Sequence, residues 1–120
     1  MLEKFYAFQV AKEFYWECKS LNLPGYLKDQ LLKASSSIAL NLSEGSGKRT
    51  PADQRRYYAN AYGSLRESQT ILELERVTYP QIRRLADQLG AMLFTLSRKK
   101  LPTANQTDAD VAADAERPLK

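Results

Sequence analysis

Apolar residues recur along this chain at intervals of three and four, the period of an amphipathic helix, in four separate stretches. In the first, Ala7, Val10, Ala11, Phe14, Cys18 and Leu21 share one face, which predicts a helix from about Leu2 to Leu21. Asn22-Leu23-Pro24-Gly25 interrupts it, because Pro cannot continue a helix and Gly accepts a turn conformation. Leu27, Leu31, Ala34, Ile38 and Leu42 predict a second helix from about Tyr26 to Glu44. Gly45-Ser46-Gly47 stops it, with Gly45 placed as a C-terminal glycine cap. The third stretch has the best start signal. Thr50 suits an N-cap, Pro51 fills the first turn where its missing N–H is harmless, and Asp53 favours the positive end of the helix dipole. This helix is expected to reach about Val77, with Tyr57, Ala61, Ser64, Leu65, Ser68, Ile71 and Leu72 on one face. After Thr78-Tyr79, Pro80 opens a fourth helix, whose Ile82, Leu85, Leu89, Met92 and Leu96, flanked by Ala86 and Leu93, form the seam of a bundle.

Helices of about 20 residues are about 30 Å long, and links this short hold successive helices antiparallel. The expected fold is therefore all-α, an antiparallel up-down-up-down four-helix bundle over residues 1–100. Residues 101–120 are small, polar and acidic. They have too few large apolar side chains to offset their ordering entropy, and read as a flexible tail. No stretch alternates in the manner of a strand.

Composition narrows the chemistry. The chain has no histidine, which removes the commonest general base, the commonest metal ligand and every Ser-His or Cys-His nucleophile pair. Its single cysteine, Cys18, can form no internal disulfide and belongs to no C-x-x-C pair. That suits a reducing compartment, and a cytoplasmic location is the default expectation. The first residues lack the apolar core of a signal peptide, and no apolar run is long enough to span a bilayer, so no membrane partner is expected. No cofactor and no metal are expected either.

Helix 2 carries polar residues where a plain bundle helix would not. Gln30, Ser37, Asn41 and Glu44 line the edge of its apolar stripe, and on helix 3 Gly63, Ser64 and Glu67 flank the apolar face. The structural reading is a close approach of helices 2 and 3 at Gly63 and Ser37, with Asn41, Glu44, Ser64 and Glu67 sharing hydrogen bonds. The alternative is a carboxylate pair, Glu44 and Glu67, for acid–base or metal chemistry. Di-metal sites in bundles ordinarily use histidines as well as carboxylates, and this chain has none.

Two surface features point to partners. Phe5 and Trp16 project away from the core face of helix 1, Phe8 and Tyr15 lie on its flank, and Leu32 and Leu40 point away from the stripe of helix 2. Several such residues on one bundle suggest a protein contact surface, and self-association is the favoured reading over a broad core that swallows them. The second feature is basic. The net charge is +4, with 16 Lys and Arg against 10 Asp and Glu in residues 1–100 and 2 against 4 in residues 101–120. Lys48 and Arg49 lie in the loop before helix 3, and Arg55 and Arg56 in its first turns. Arg83 and Arg84 lie near the start of helix 4, and Arg98, Lys99 and Lys100 at its end, where cations also suit the helix dipole. The cluster beside the Gly-Ser-Gly loop is the best candidate for phosphate contact, since such contacts add through counterion release.

These residues carry a resemblance. Gln30-x-x-x-Ala34-x-x-Ser37-Ile38-x-x-Asn41-Leu42-x-Glu44-Gly45, followed by Gly63-Ser64-Leu65-x-Glu67, resembles the four-helix bundle proteins encoded within intervening sequences of bacterial 23S ribosomal RNA genes. The similarity spans roughly residues 5–100. Lys33-Ala34 stands where that family often has Arg-Ala, and Asn41-Leu42-Ser43-Glu44-Gly45 where it has Asn-Ile-Ala-Glu-Gly; both keep charge, volume or smallness. The resemblance implies a ring, a homopentamer, without enzymatic activity, and carries over Ser37, Asn41, Glu44, Gly45, Gly63, Ser64 and Glu67 as motif residues. A more distant similarity to the accessory proteins of diversity-generating retroelements implies a basic bundle that binds nucleic acid and a reverse transcriptase. The functional expectation is a noncatalytic oligomeric bundle that binds RNA or DNA electrostatically. The rival is an interaction module that presents surfaces to a protein partner.

Overall fold

The computed structural model describes the backbone of residues 2–98 and the side chains of residues 6–98. It contains four helices: α1 (Leu2–Lys19), α2 (Gly25–Ser46), α3 (Pro51–Leu74) and α4 (Pro80–Arg98). The tail expected at 101–120, the basic Lys99 and Lys100 and the side chain of Phe5 lie outside the described residues.

The links between helices are four or five residues long. Fully extended, five residues reach only about 17 Å, well short of a helix about 30 Å long, so each helix must reverse the direction of the one before it. Cross-helix pairs agree: Ser64 meets Ser37 while Tyr58 meets Gly45, so advancing along α2 means retreating along α3. Each helix packs on its chain neighbours and α4 closes on α1, whereas the backbones of the diagonal pairs stay apart among the described residues. That is a four-cornered bundle.

The expected core face of α1 is fully buried, with Ala7, Ala11, Phe14 and Cys18 sealed from solvent beside Val10 and Leu21. Leu31, Ile38, Leu65, Leu89 and Leu93 face them from the other helices. Each such side chain contributes about 1.5–3 kcal/mol by leaving water, which is what holds the bundle together. Met92 is only partly buried, at the margin of the seam.

Three expectations are corrected. Gly45 is not a cap. α2 continues through it to Ser46, Gly47 takes the cap position with a right-handed φ of −90°, and Gly45 is buried inside the helix. On α3 the inward tyrosine is Tyr58, 2% exposed, rather than Tyr57. Tyr58, Ala61, Leu65, Ser68 and Leu72 follow three-four spacing, and Tyr57 lies on the flank of that stripe. Finally, α3 stops at Leu74, because Arg76 adopts a left-handed φ of 55°. The Val77 N–H then bonds the Leu72 carbonyl (2.9 Å) and the Arg76 N–H the Glu73 carbonyl (3.1 Å), the pairing of a Schellman motif. The start of α3 is as expected, with Thr50 Oγ1 accepting from the Asp53 N–H at 3.2 Å and Pro51 in the first turn.

Candidate functional site

The polar strip of α2 meets α3 through a smaller network than the sequence suggests. Asn41 Nδ2 donates to both the carbonyl and the hydroxyl of Ser37, each at 2.9 Å, and Ser64 Oγ donates to Ser37 Oγ at 2.9 Å. Ser68 continues it by donating to the Ser64 carbonyl at 2.9 Å. Small hydroxyl residues let the two helices exchange a hydrogen bond at short range. Glu44 and Glu67 stand outside this network. Both are exposed, and Glu44 turns instead toward Lys48, 3.4 Å away one turn later. Nor does Gly63 mark the close approach: a Cβ there would meet nothing within 4 Å. The tight contact is at Gly45, where a Cβ would lie 2.8 Å from Tyr58 Cε1 and 2.9 Å from Tyr57 Cβ.

That contact organises the α2–α3 turn and its charges. Tyr57, pressed against Gly45, carries two cations near its ring: Lys48 Nζ is 5.0 Å and the Arg56 guanidinium 5.3 Å from the ring centroid. Arg56 is also 3.6 Å from Asp53, and Gln54 Nε2 donates to the Lys48 carbonyl at 3.0 Å, which ties the turn to the start of α3. Arg49 is exposed at the apex and Arg55 lies half-buried on α3. The antiparallel topology brings the end of α4 to this same pole, where Arg98 lies 5.2 Å from the centroid of Phe94. Arg83 and Arg84 lie at the opposite pole, with Arg84 donating to Gln81. The structure therefore joins Lys48, Arg49, Arg55, Arg56 and Arg98 into one basic end and separates Arg83 and Arg84 from it.

The aromatic face of α1 is real but mixed. Trp16 is 57% exposed and Leu40 67% exposed, while Phe8, Tyr15 and Leu32 are half-buried, and Phe8 packs on the core. Lys12 was not among the expected residues. Its ammonium lies 5.1 Å from the Phe8 centroid and 5.9 Å from that of Trp16, and i, i+4 spacing was the signal for it. Lys19 sits likewise 5.8 Å from Tyr15.

Two interior groups are shifted. Burial pushes the Cys18 thiol up to about 12, against the opposing effect of a hydrogen bond with Ser35. The Tyr58 hydroxyl is raised by desolvation, and it is buried without a hydrogen-bond partner. Among the described residues no group of three or more Cys, Asp or Glu gathers in a way that could hold a metal ion, and no helix is long and apolar enough to cross a membrane.

Among known families, residues 6–95 match the one described as 23S rRNA-intervening sequence protein. No curated protein and no solved structure matches the chain. The family match covers three quarters of the sequence, and the chain belongs to that family.

Proposed function

We propose that this member of the 23S rRNA-intervening sequence protein family is a noncatalytic, self-associating bundle that binds the phosphate backbone of RNA or DNA through its basic pole. The observation that carries this reading is the gathering of Lys48, Arg49, Arg55, Arg56 and Arg98 at one end of the bundle, five cations beside Glu44, which pairs with Lys48, and Asp53, which pairs with Arg56. A family named after an intervening sequence of ribosomal RNA supports an RNA setting. Binding of a structured RNA across a salt series is the test. Each phosphate contact adds about 0.9 to the slope of log affinity against log salt on a duplex, so several contacts give a steep fall. A flat salt dependence, or no binding at low salt, refutes the proposal.

Self-association has its own support in Trp16 and Leu40, large apolar side chains left in solvent. The expected outcome is a solution mass above that of one chain, lowered by Trp16→Ala. The same surface also favours the second reading, an interaction module for a protein partner. Retrieval of one protein partner without nucleic acid would favour that reading.

A further inference from the structure

Between α3 and α4 runs an open groove of about 750 Å³ that lies outside the polar network and borders the core at Tyr62. Tyr62 and Phe94 supply its rings, Arg66 and Arg98 its charge, and Gly63 its floor. Among the described residues no acidic one lines it. Gly63 is what keeps it open, since any side chain at that position would project into space where nothing now lies within 4 Å. A glycine near the middle of a 24-residue helix weakens that helix, and here no neighbouring helix takes up the room it leaves. The groove also has a direction. Counting back by three and four from Ala59, which lines its end, reaches Arg56 and Arg55, so the helical stripe that forms its α3 wall runs into the basic pole.

We infer that this groove seats an unpaired nucleic-acid strand entering from the α2–α3 turn. The inference rests on the phosphate-binding reading above and adds to it a preference for single strands. An unpaired strand offers alternating phosphates and exposed flat bases, and the groove offers guanidinium groups and two aromatic rings beside them. One of those guanidiniums, that of Arg98, already lies 5.2 Å from the Phe94 ring and adds a second planar surface. Charge favours a polyanion over a neutral peptide, and rings favour exposed bases over a smooth anionic surface. A duplex keeps its base faces inside its own stack and can satisfy only the cations.

The test uses fluorescence anisotropy with a short labelled RNA, single-stranded or annealed to its complement, on the wild type, Gly63→Leu and Phe94→Leu. At Gly63 a Cβ meets nothing within 4 Å and leucine is a better helix former than glycine, so Gly63→Leu projects into the groove, and an unchanged melting temperature separates lost binding from misfolding. Wild type should prefer the single strand. Both variants should lower the ratio of single-strand to duplex affinity about tenfold, the scale of one stacked base. Equal affinity of the wild type for both RNAs, or an unchanged ratio in both variants, overturns the groove but leaves the phosphate reading standing. No binding of either RNA at low salt overturns both. A fall in solution mass with Gly63→Leu assigns the groove to a contact between copies of the chain and overturns its role as a strand seat.

Discussion

At the scale of single residues, space and polarity make sharply different demands at neighbouring positions. Gly45→Ala places a methyl group within 2.9 Å of Tyr57 Cβ, an atom fixed to the backbone, so the helices must part. Urea denaturation should show a loss of about 1–3 kcal/mol, the usual cost of overpacking. Tyr58→Phe removes a buried hydroxyl that has no partner and should leave stability unchanged or raise it by about 1 kcal/mol. A clear loss would mean that the hydroxyl holds a bond in solution. Arg76→Gly relieves a left-handed φ of 55°, and should stabilise by about 0.5–1 kcal/mol after allowing for the greater freedom of glycine in the unfolded chain. The Cys18 thiol gives a pH dependence. Its folded pKa, about 12, lies above the unfolded value of about 9, so above pH 9 the unfolded chain has given up a proton that the folded chain retains. Stability should fall between about pH 9 and 12, by at most about 1.4 kcal/mol per pH unit, and Cys18→Ser should flatten that fall.

At the scale of elements, the helices were legible because each was specified twice, by an apolar period and by its punctuation. Thr50-Pro51 with Asp53 placed the start of α3 correctly, and the six positions expected on the core face of the first helix, Leu21 just beyond its end included, are all buried. Glycine was harder to read, because the letter alone does not say whether room is needed inward or outward. At Gly45 and Gly63 the outcome departs from the expectation: the supposed cap is the close approach, and the supposed close approach opens onto solvent. Tyr57 and Tyr58 differ by one position on the wheel and lie four and three residues from Ala61, so helical spacing admits either; the packing of Tyr57 against Gly45 leaves Tyr58 as the buried ring. Glu44 and Glu67 were drawn into the network by proximity in the motif, yet long carboxylate side chains reach water more readily than a helix interface made of serines. Glu67→Gln should therefore change the melting temperature little, whereas Ser37→Ala and Ser64→Ala should couple in a double-mutant cycle by about 0.5–1 kcal/mol.

At the scale of the whole molecule, composition made part of the electrostatics visible and topology supplied the rest. The basic pairs are evident in the sequence, but only the antiparallel order joins the turn before α3 to the end of α4 and sends Arg83 and Arg84 to the far pole. The proposed patch should then behave as one unit. Arg49→Ala and Arg56→Ala should each weaken RNA binding and reduce the salt slope by about one contact, while Arg83→Ala should do so less. The α3–α4 groove could not be read in advance, since it arises from what two helices leave unfilled.

Because the count of helices is even, α4 reaches Arg98 at the pole that holds the α2–α3 turn. An affinity handle or fluorescent fusion placed there would stand across the surface being assayed and report its own interference. The linkers at 20–24 and 75–79 lie at the far pole, and a label inserted in either would leave the charged end clear.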